Sequence, residues 1–175
     1  MALASIYFRM CQEMVKMPDG PPVRLLDVVF YESAPTLTEF LGMGLTTDSR
    51  VALLGVETSP DSDCMVSGIS WLNNVTSMGS GMRKGEIGFA FFDGVSPFRK
   101  ATIARGMVDW AFREKGLDVL FGTTPEQNIK AIKFSRLVGF DTSSKVRNYT
   151  TWRGYLTDVV VSSMTKAGWE EKHGA

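Results

Sequence analysis

Apolar and polar positions along this chain change period twice, and each change predicts a different kind of element. Residues 51–56 and 64–72 are compact apolar runs, separated by turn chemistry at Ser59, Pro60, Asp61, Ser62 and Asp63. A third run, 86–92, follows a glycine-containing loop over 78–84 and closes at Asp93-Gly94. Three strands with short polar connections predict an antiparallel meander. From Ser96 the period becomes helical. Ser96 is an N-cap, and Pro97 takes the first helical position, where its missing N–H costs nothing. Ala101, Ala104, Met107, Val108, Ala111 and Phe112 then form one apolar stripe, and Lys115-Gly116 ends the helix.

Residues 119–121 predict a short buried strand. Thr124, Pro125 and Gln127 predict a second helix start in capping-box spacing, with Gly139 as the C-cap. Residues 145–152 and 155–163 predict a final strand pair. The order β-β-β-α-β-α-β-β implies an α/β (α+β) fold with a mixed, mostly antiparallel sheet flanked by helices. The first fifty residues are harder to read. Residues 6–10 predict a short strand, 18–22 a Pro/Gly loop, and 36–41 a short helix closed by Gly42. Residues 25–30 suit either a strand or a buried helix turn. One domain over residues 1–175 is expected, with 50–170 as its core.

Composition narrows the class. Of 175 residues, 44% are apolar and 22% charged, ordinary for a globular protein. No apolar run reaches the length of a membrane span, and residues 1–10 lack the basic-then-apolar pattern of a secretory signal. A cytoplasmic protein is therefore expected. Cys11 and Cys64 lie far apart, which favours free thiols in a reducing compartment. With His173 as the only histidine, neither a metal centre nor histidine catalysis is expected.

Net charge is zero, so no nucleic-acid partner is expected. The zero conceals an asymmetry. Residues 1–95 carry 6 basic and 11 acidic side chains, net −5; residues 96–153 carry 11 and 5, net +6; residues 154–175 carry 2 and 3, net −1. A basic block in a neutral chain suits an anionic ligand, and equally suits solvated helix faces.

Two stretches resemble the GNAT (Gcn5-related N-acetyltransferase) family. One is strand–loop–helix, GEIGFAFF over 85–92 followed by SPFRKATIA over 96–104. The other is GTTPEQNIKAIKFSRLVGF over 122–140, with the family's spacing from Asn128 to Gly139-Phe140. Gly154, Asp158 and Trp169 resemble the branch that acetylates ribosomal-protein N-termini. There is also a loose resemblance to acetyltransferase-like proteins of bacteriophages, some of them virion components.

The resemblance implies the GNAT fold and acetyl-CoA as cofactor, with its pyrophosphate at the helix that starts at Ser96. It implies cofactor contacts from Phe91, Phe98, Arg99, Lys100, Ala101, Thr102 and Asn128. A helix N-terminus favours phosphate on physical grounds alone, and Arg99 and Lys100 add charge and donors. The family's loop reads Arg/Gln-x-x-Gly-x-Gly/Ala. Here Arg99 and Ala104 fit, while Thr102 replaces a glycine; its hydroxyl could donate to phosphate instead. Asn128 is either a pantetheine contact or a polar residue of a helix's first turn.

Transfer to an amine needs a proton acceptor, and Glu86 is the candidate base, its alternative being an exposed strand-end carboxylate. The family's usual acid, a tyrosine four residues before the glycine, is Ser135 here; the branch's serine, three residues after the asparagine, is Ala131. Ser135 is the substitute candidate acid, its alternative being a small helix residue. Asp158 matches as a structural hydrogen-bonding group.

The expected activity is acetyl transfer to a primary amine: a protein N-terminus, a lysine or a small amine. The acceptor groove is expected between the N-terminal region and the late hairpin. A rival reading keeps the fold but not catalysis, as a structural or binding component that self-assembles or joins a virion. A third is an unrelated α/β domain binding another phosphate ligand.

Overall fold

The computed structural model describes residues 2–17, 20–45, 51–54 and 67–174. The turn at 59–63 and Cys64 lie outside these residues, as do Pro18 and Asp19 of the first loop.

The N-terminal region is helical rather than extended. Helix α1 (Ala2–Gln12) replaces the strand expected at 6–10. Its buried positions Ile6 and Met10, with half-buried Leu3 and Tyr7, recur at three and four residues, which is a helical stripe and not an alternation. A two-residue pair, β1 (Met14–Val15) and β2 (Val23–Arg24), leads into α2 (Leu25–Val29). Residues 25–30 are therefore the helix-turn alternative. Helix α3 (Leu37–Leu45) runs past Gly42, which does not take the left-handed φ of a helix-ending glycine. Its start is a capping box: Glu39 N–H donates to Thr36 Oγ1 (3.3 Å), and Thr36 N–H donates to Glu39 Oε2 (2.8 Å).

Among the described residues a six-stranded sheet organises the rest, in the order β3-β4-β5-β6-β8-β7. Its strands are β3 (Val51–Leu54), β4 (Gly68–Ser77), β5 (Arg83–Phe91), β6 (Val119–Pro125), β7 (Asp141–Trp152) and β8 (Tyr155–Thr165). All neighbours are antiparallel except β5 and β6. Helix α4 (Pro97–Arg113) is capped by Ser96, with Pro97 first, and buries the stripe read from the sequence.

The start of α5 (Ile129–Val138) differs from expectation. Thr124 and Pro125 finish β6, and Asn128 is the N-cap, accepting from Ala131 N–H at 3.3 Å. The Thr-Pro signal lost because β6 continues in register with β8 through Pro125↔Val159. Gly139, at φ +123°, is the predicted C-cap. Helix α6 (Lys166–His173), absent from the sequence reading, is capped by Thr165 and buries Trp169 against Phe112. Trp152 is buried too. No described helix is long and apolar enough to cross a membrane.

Two apolar clusters lie on opposite faces of the sheet. One joins Ile87, Phe89 and Phe91 of β5 to α4, α5 and α6. The other joins Ile69, Trp71 and Ala90 to α1, α2 and α3.

Candidate functional site

Two features of β5 define the site. The first is its separation from β6. The two strands pair at Lys84↔Val119, Gly85↔Leu120 and Glu86↔Phe121, and the ladder ends there although both strands continue, to Phe91 and Pro125. Beyond Glu86 the strands diverge as a wedge. Backbone N–H and C=O groups on its two edges are ladder groups without a ladder, so an extended amide-bearing chain lying between them would have partners on both sides.

The second feature is alternation. Glu86, Gly88 and Ala90 face the N-terminal helices, where a cavity of about 840 Å³ opens. Phe30 and Phe40 line it from the helical side, Trp71 and Asn73 from β4, and Phe121 from β6. Tyr149 of β7 completes it, so the cavity lies between the N-terminal region and the late hairpin.

Within this cavity Glu86 is held from two directions. Asn74 Nδ2 donates to Oε2 (2.7 Å) and Thr123 Oγ1 donates to Oε1 (2.8 Å). Asn74 reaches the carboxylate because the β4–β5 register shifts between Asn73 and Thr76, with Asn74 at φ +50°. Tyr31, after α2, lines the same cavity as Thr123; burial pushes its phenol above the ordinary value, the neighbouring Thr123 opposes this, and Glu32 and Glu86 add to the rise. Asn73 is the cross-strand partner of Glu86, and its Oδ1 is buried with no hydrogen-bond partner among the described residues. Tyr31, Asn73, Asn74 and Thr123 escaped the sequence reading. An Asn-Asn pair interrupting an apolar strand was the available signal, since asparagine tolerates positive φ.

The other predicted residues lie on the α4 and α5 side. Arg99 and Lys100 stand half-buried in the first turn of α4, and Phe98 is 82% exposed beside them. Ala101 is buried, so only its backbone could reach a ligand. Thr102 Oγ1 donates to Phe98 O (3.1 Å), which commits the proton expected to serve phosphate. Ser96 Oγ occupies Arg99 N–H (3.3 Å) and Pro97 has none, so two of the backbone donors of this turn are not open to a ligand, and Arg99 and Lys100 give the turn its positive charge. Phe91 packs edge-on against Phe134 of α5, ring centroids 5.6 Å apart. Ser135 Oγ donates to Ile132 O (2.9 Å), so its proton is held within the helix. Asp158 accepts from Asn148 N–H (3.0 Å) and pairs with Lys145 (3.0 Å), which together hold its carboxyl below the usual range; it braces the β7–β8 hairpin.

No protein-family model and no curated protein sequence matches the chain. Solved structures do match. The chain resembles a ribosomal-protein-S5-alanine acetyltransferase from Vibrio fischeri at 18% identity and TM-score 0.53, over 61% of this chain and 57% of that one. It resembles spermidine N-acetyltransferase from Vibrio cholerae, in complex with CoA and spermine, at 15% identity and TM-score 0.71, over 95% of this chain and 91% of that one. This chain thus spans little more than half of the first protein and most of the second. The fold is the GNAT acetyltransferase fold.

Proposed function

We propose that this chain is an acetyl-CoA-dependent N-acetyltransferase acting on a primary amine. The observation that carries the reading is the wedge between β5 and β6, which opens where the carboxylate of Glu86 meets the cavity. One opening admits an extended thioester-bearing arm, and the other admits an amine. Likeness to spermidine and ribosomal-protein acetyltransferases supports the class of reaction.

The donor side would hold acetyl-CoA through Arg99, Lys100 and the α4 N-terminus at its phosphates, with the free edge of β5 along its amides. Phe91, Phe98, Ala101 and Thr102 would contribute contact surface or backbone there, and Asn128 an amide nitrogen, its Oδ1 being the helix cap. Bound there, acetyl-CoA supplies the acetyl thioester: a C–N bond forms at the amine, the C–S bond breaks, thiolate leaves and the amine gives up a proton. Glu86 is the group placed to take that proton. Each carboxylate oxygen keeps lone-pair capacity beyond its one bond from Thr123 or Asn74. A thiol of ordinary acidity, pKa near ~8.5, leaves without help from an acid, so Ser135 is given no part.

Calorimetric titration with acetyl-CoA tests the donor side. Saturable binding is expected, weakened at least tenfold by Arg99→Glu; equal affinity in the variant would remove that turn from the site. On the acceptor side, Glu86→Gln is expected to lower kcat/KM by roughly 10²-fold or more while acetyl-CoA affinity holds.

A further inference from the structure

We infer that Asn73 and Glu86 together form an ammonium-binding subsite, and that it takes a primary amine with a ring-sized apolar body. The reaction it would serve rests on the transferase reading; the binding does not.

Asn73 and Glu86 are directly opposite in the β4–β5 register, so their side chains leave the same face about 5 Å apart at Cβ. Asn73 lines the cavity, and its buried Oδ1 has no hydrogen-bond partner among the described residues. A buried carbonyl oxygen without a donor is costly, and a ligand N–H there recovers the loss. The Glu86 carboxylate has room for further donors after its bonds from Asn74 and Thr123. A primary ammonium carries three N–H groups, and these two acceptor side chains stand side by side on one face of the sheet, where the β5–β6 ladder ends. Lys84 is the single cation lining the cavity among the described residues; it is exposed, its Nζ 6.0 Å from the Phe121 ring centroid.

The body of the ligand follows from the next cross-strand pairs on the same face. Trp71↔Gly88 comes first and Ile69↔Ala90 second, each about 6.8 Å further along the strands. A side chain at 88 would overlap the Trp71 indole, which lies over that glycine, and Phe30 stacks on Trp71 with centroids 6.3 Å apart. Ile69 and Ala90 are buried. Apolar ground therefore begins one pair away from the ammonium position. A polyamine would set its second charge on that ground. The only other carboxylate lining the cavity among the described residues is Glu32, which accepts from Thr150 Oγ1 at 2.6 Å; a polyamine is served only if its second charge reaches that carboxylate, and the spermine measurement reads this.

Calorimetry with phenethylamine and with spermine, in the absence of acetyl-CoA, tests this directly. Phenethylamine is expected to bind the wild-type chain more tightly than spermine does, and Asn73→Leu to weaken phenethylamine at least tenfold. Asn73→Asp, which keeps an acceptor at the same place, is expected to retain or tighten binding, and so separates lost recognition from lost packing. Tighter binding of spermine, unchanged affinity in Asn73→Leu, or equal loss in Asn73→Asp would each overturn the subsite. A chain that binds acetyl-CoA but not phenethylamine overturns the subsite and leaves the transferase reading standing. Amine binding without any acetyl-CoA binding does the reverse.

Discussion

The two faces of the central sheet are built from the same strands and end differently. On one, Ile87, Phe89 and Phe91 meet the long α4 and the tail helix α6, and the space closes completely around Phe112, Leu120 and Val138. On the other, Ala90 meets α1, α2 and α3, and the space closes around Ile6, Leu26 and Phe40 but stays open beside Glu86 and Asn73. Helix length is one cause: α4 has 17 residues, while α2 has 5 and α3 has 9. Polarity is the other. A continuous apolar stripe can collapse onto a sheet, whereas a cross-strand pair of a carboxylate and an amide keeps its neighbours at hydrogen-bonding distance or leaves room for a ligand. One face is spent on stability and the other keeps a costly polar end, the pattern expected where function lives.

The contrast predicts effects of graded size. Phe112→Ala, on the closed face, is expected to cost about 3–5 kcal/mol in denaturant unfolding, since the site is fully buried and its neighbours are fixed by two helices. Gly88→Ala, on the open face, is expected to cost roughly 1–3 kcal/mol by overpacking against Trp71. A variant as stable as wild type would mean that the indole moves freely into the cavity. Asn73→Leu sharpens the comparison in the opposite sense: removal of an orphaned acceptor is expected to raise stability by about 1 kcal/mol even as amine binding falls. Loss of stability there would show that Asn73 supports the strand rather than the ligand.

The smallest effect lies away from both faces, in the β7–β8 hairpin. The folded carboxyl of Asp158 is held below its ordinary value by the Asn148 N–H and the Lys145 ammonium. Its contribution is therefore complete above the unfolded value, near ~3.9, and is lost as pH falls through the lower folded value. Asp158→Asn should flatten that acid limb of an unfolding-midpoint profile slightly. Because the pair is exposed, added salt should shrink the difference further.

What could be read from residues alone follows from how local each signal is. The Ser96-Pro97 start, the six buried positions of α4 and the Gly139 cap were all legible, because each depends on contacts within a few residues of chain. So was the order of strands and helices from β3 to β8, though not the closing helix α6. The start of α5 was misread because the cap signal at Thr124 competed with a ladder to β8 some thirty-five residues away, and a ladder leaves no local trace. The N-terminal helix was misread because a short apolar run suits both periods until a partner face selects one.

Of the candidate site, Glu86 was legible as a candidate base, although β5 begins at Arg83 and Glu86 lies inside the strand rather than at its start. Its surroundings were not: Asn74 arrives through a β-bulge, Thr123 from a parallel neighbour and Tyr31 from a loop more than fifty residues earlier. The chain by itself determined the order of elements from β3 to β8, where its charge gathers and which residue types are available for chemistry, since these are properties of near neighbours. Only the tertiary structure decided that the β5–β6 ladder ends at Glu86, and that an Asn73 oxygen without a partner among the described residues stands opposite that carboxylate. Those facts belong to strand register and divergence, which are fixed by the simultaneous packing of both faces of the sheet.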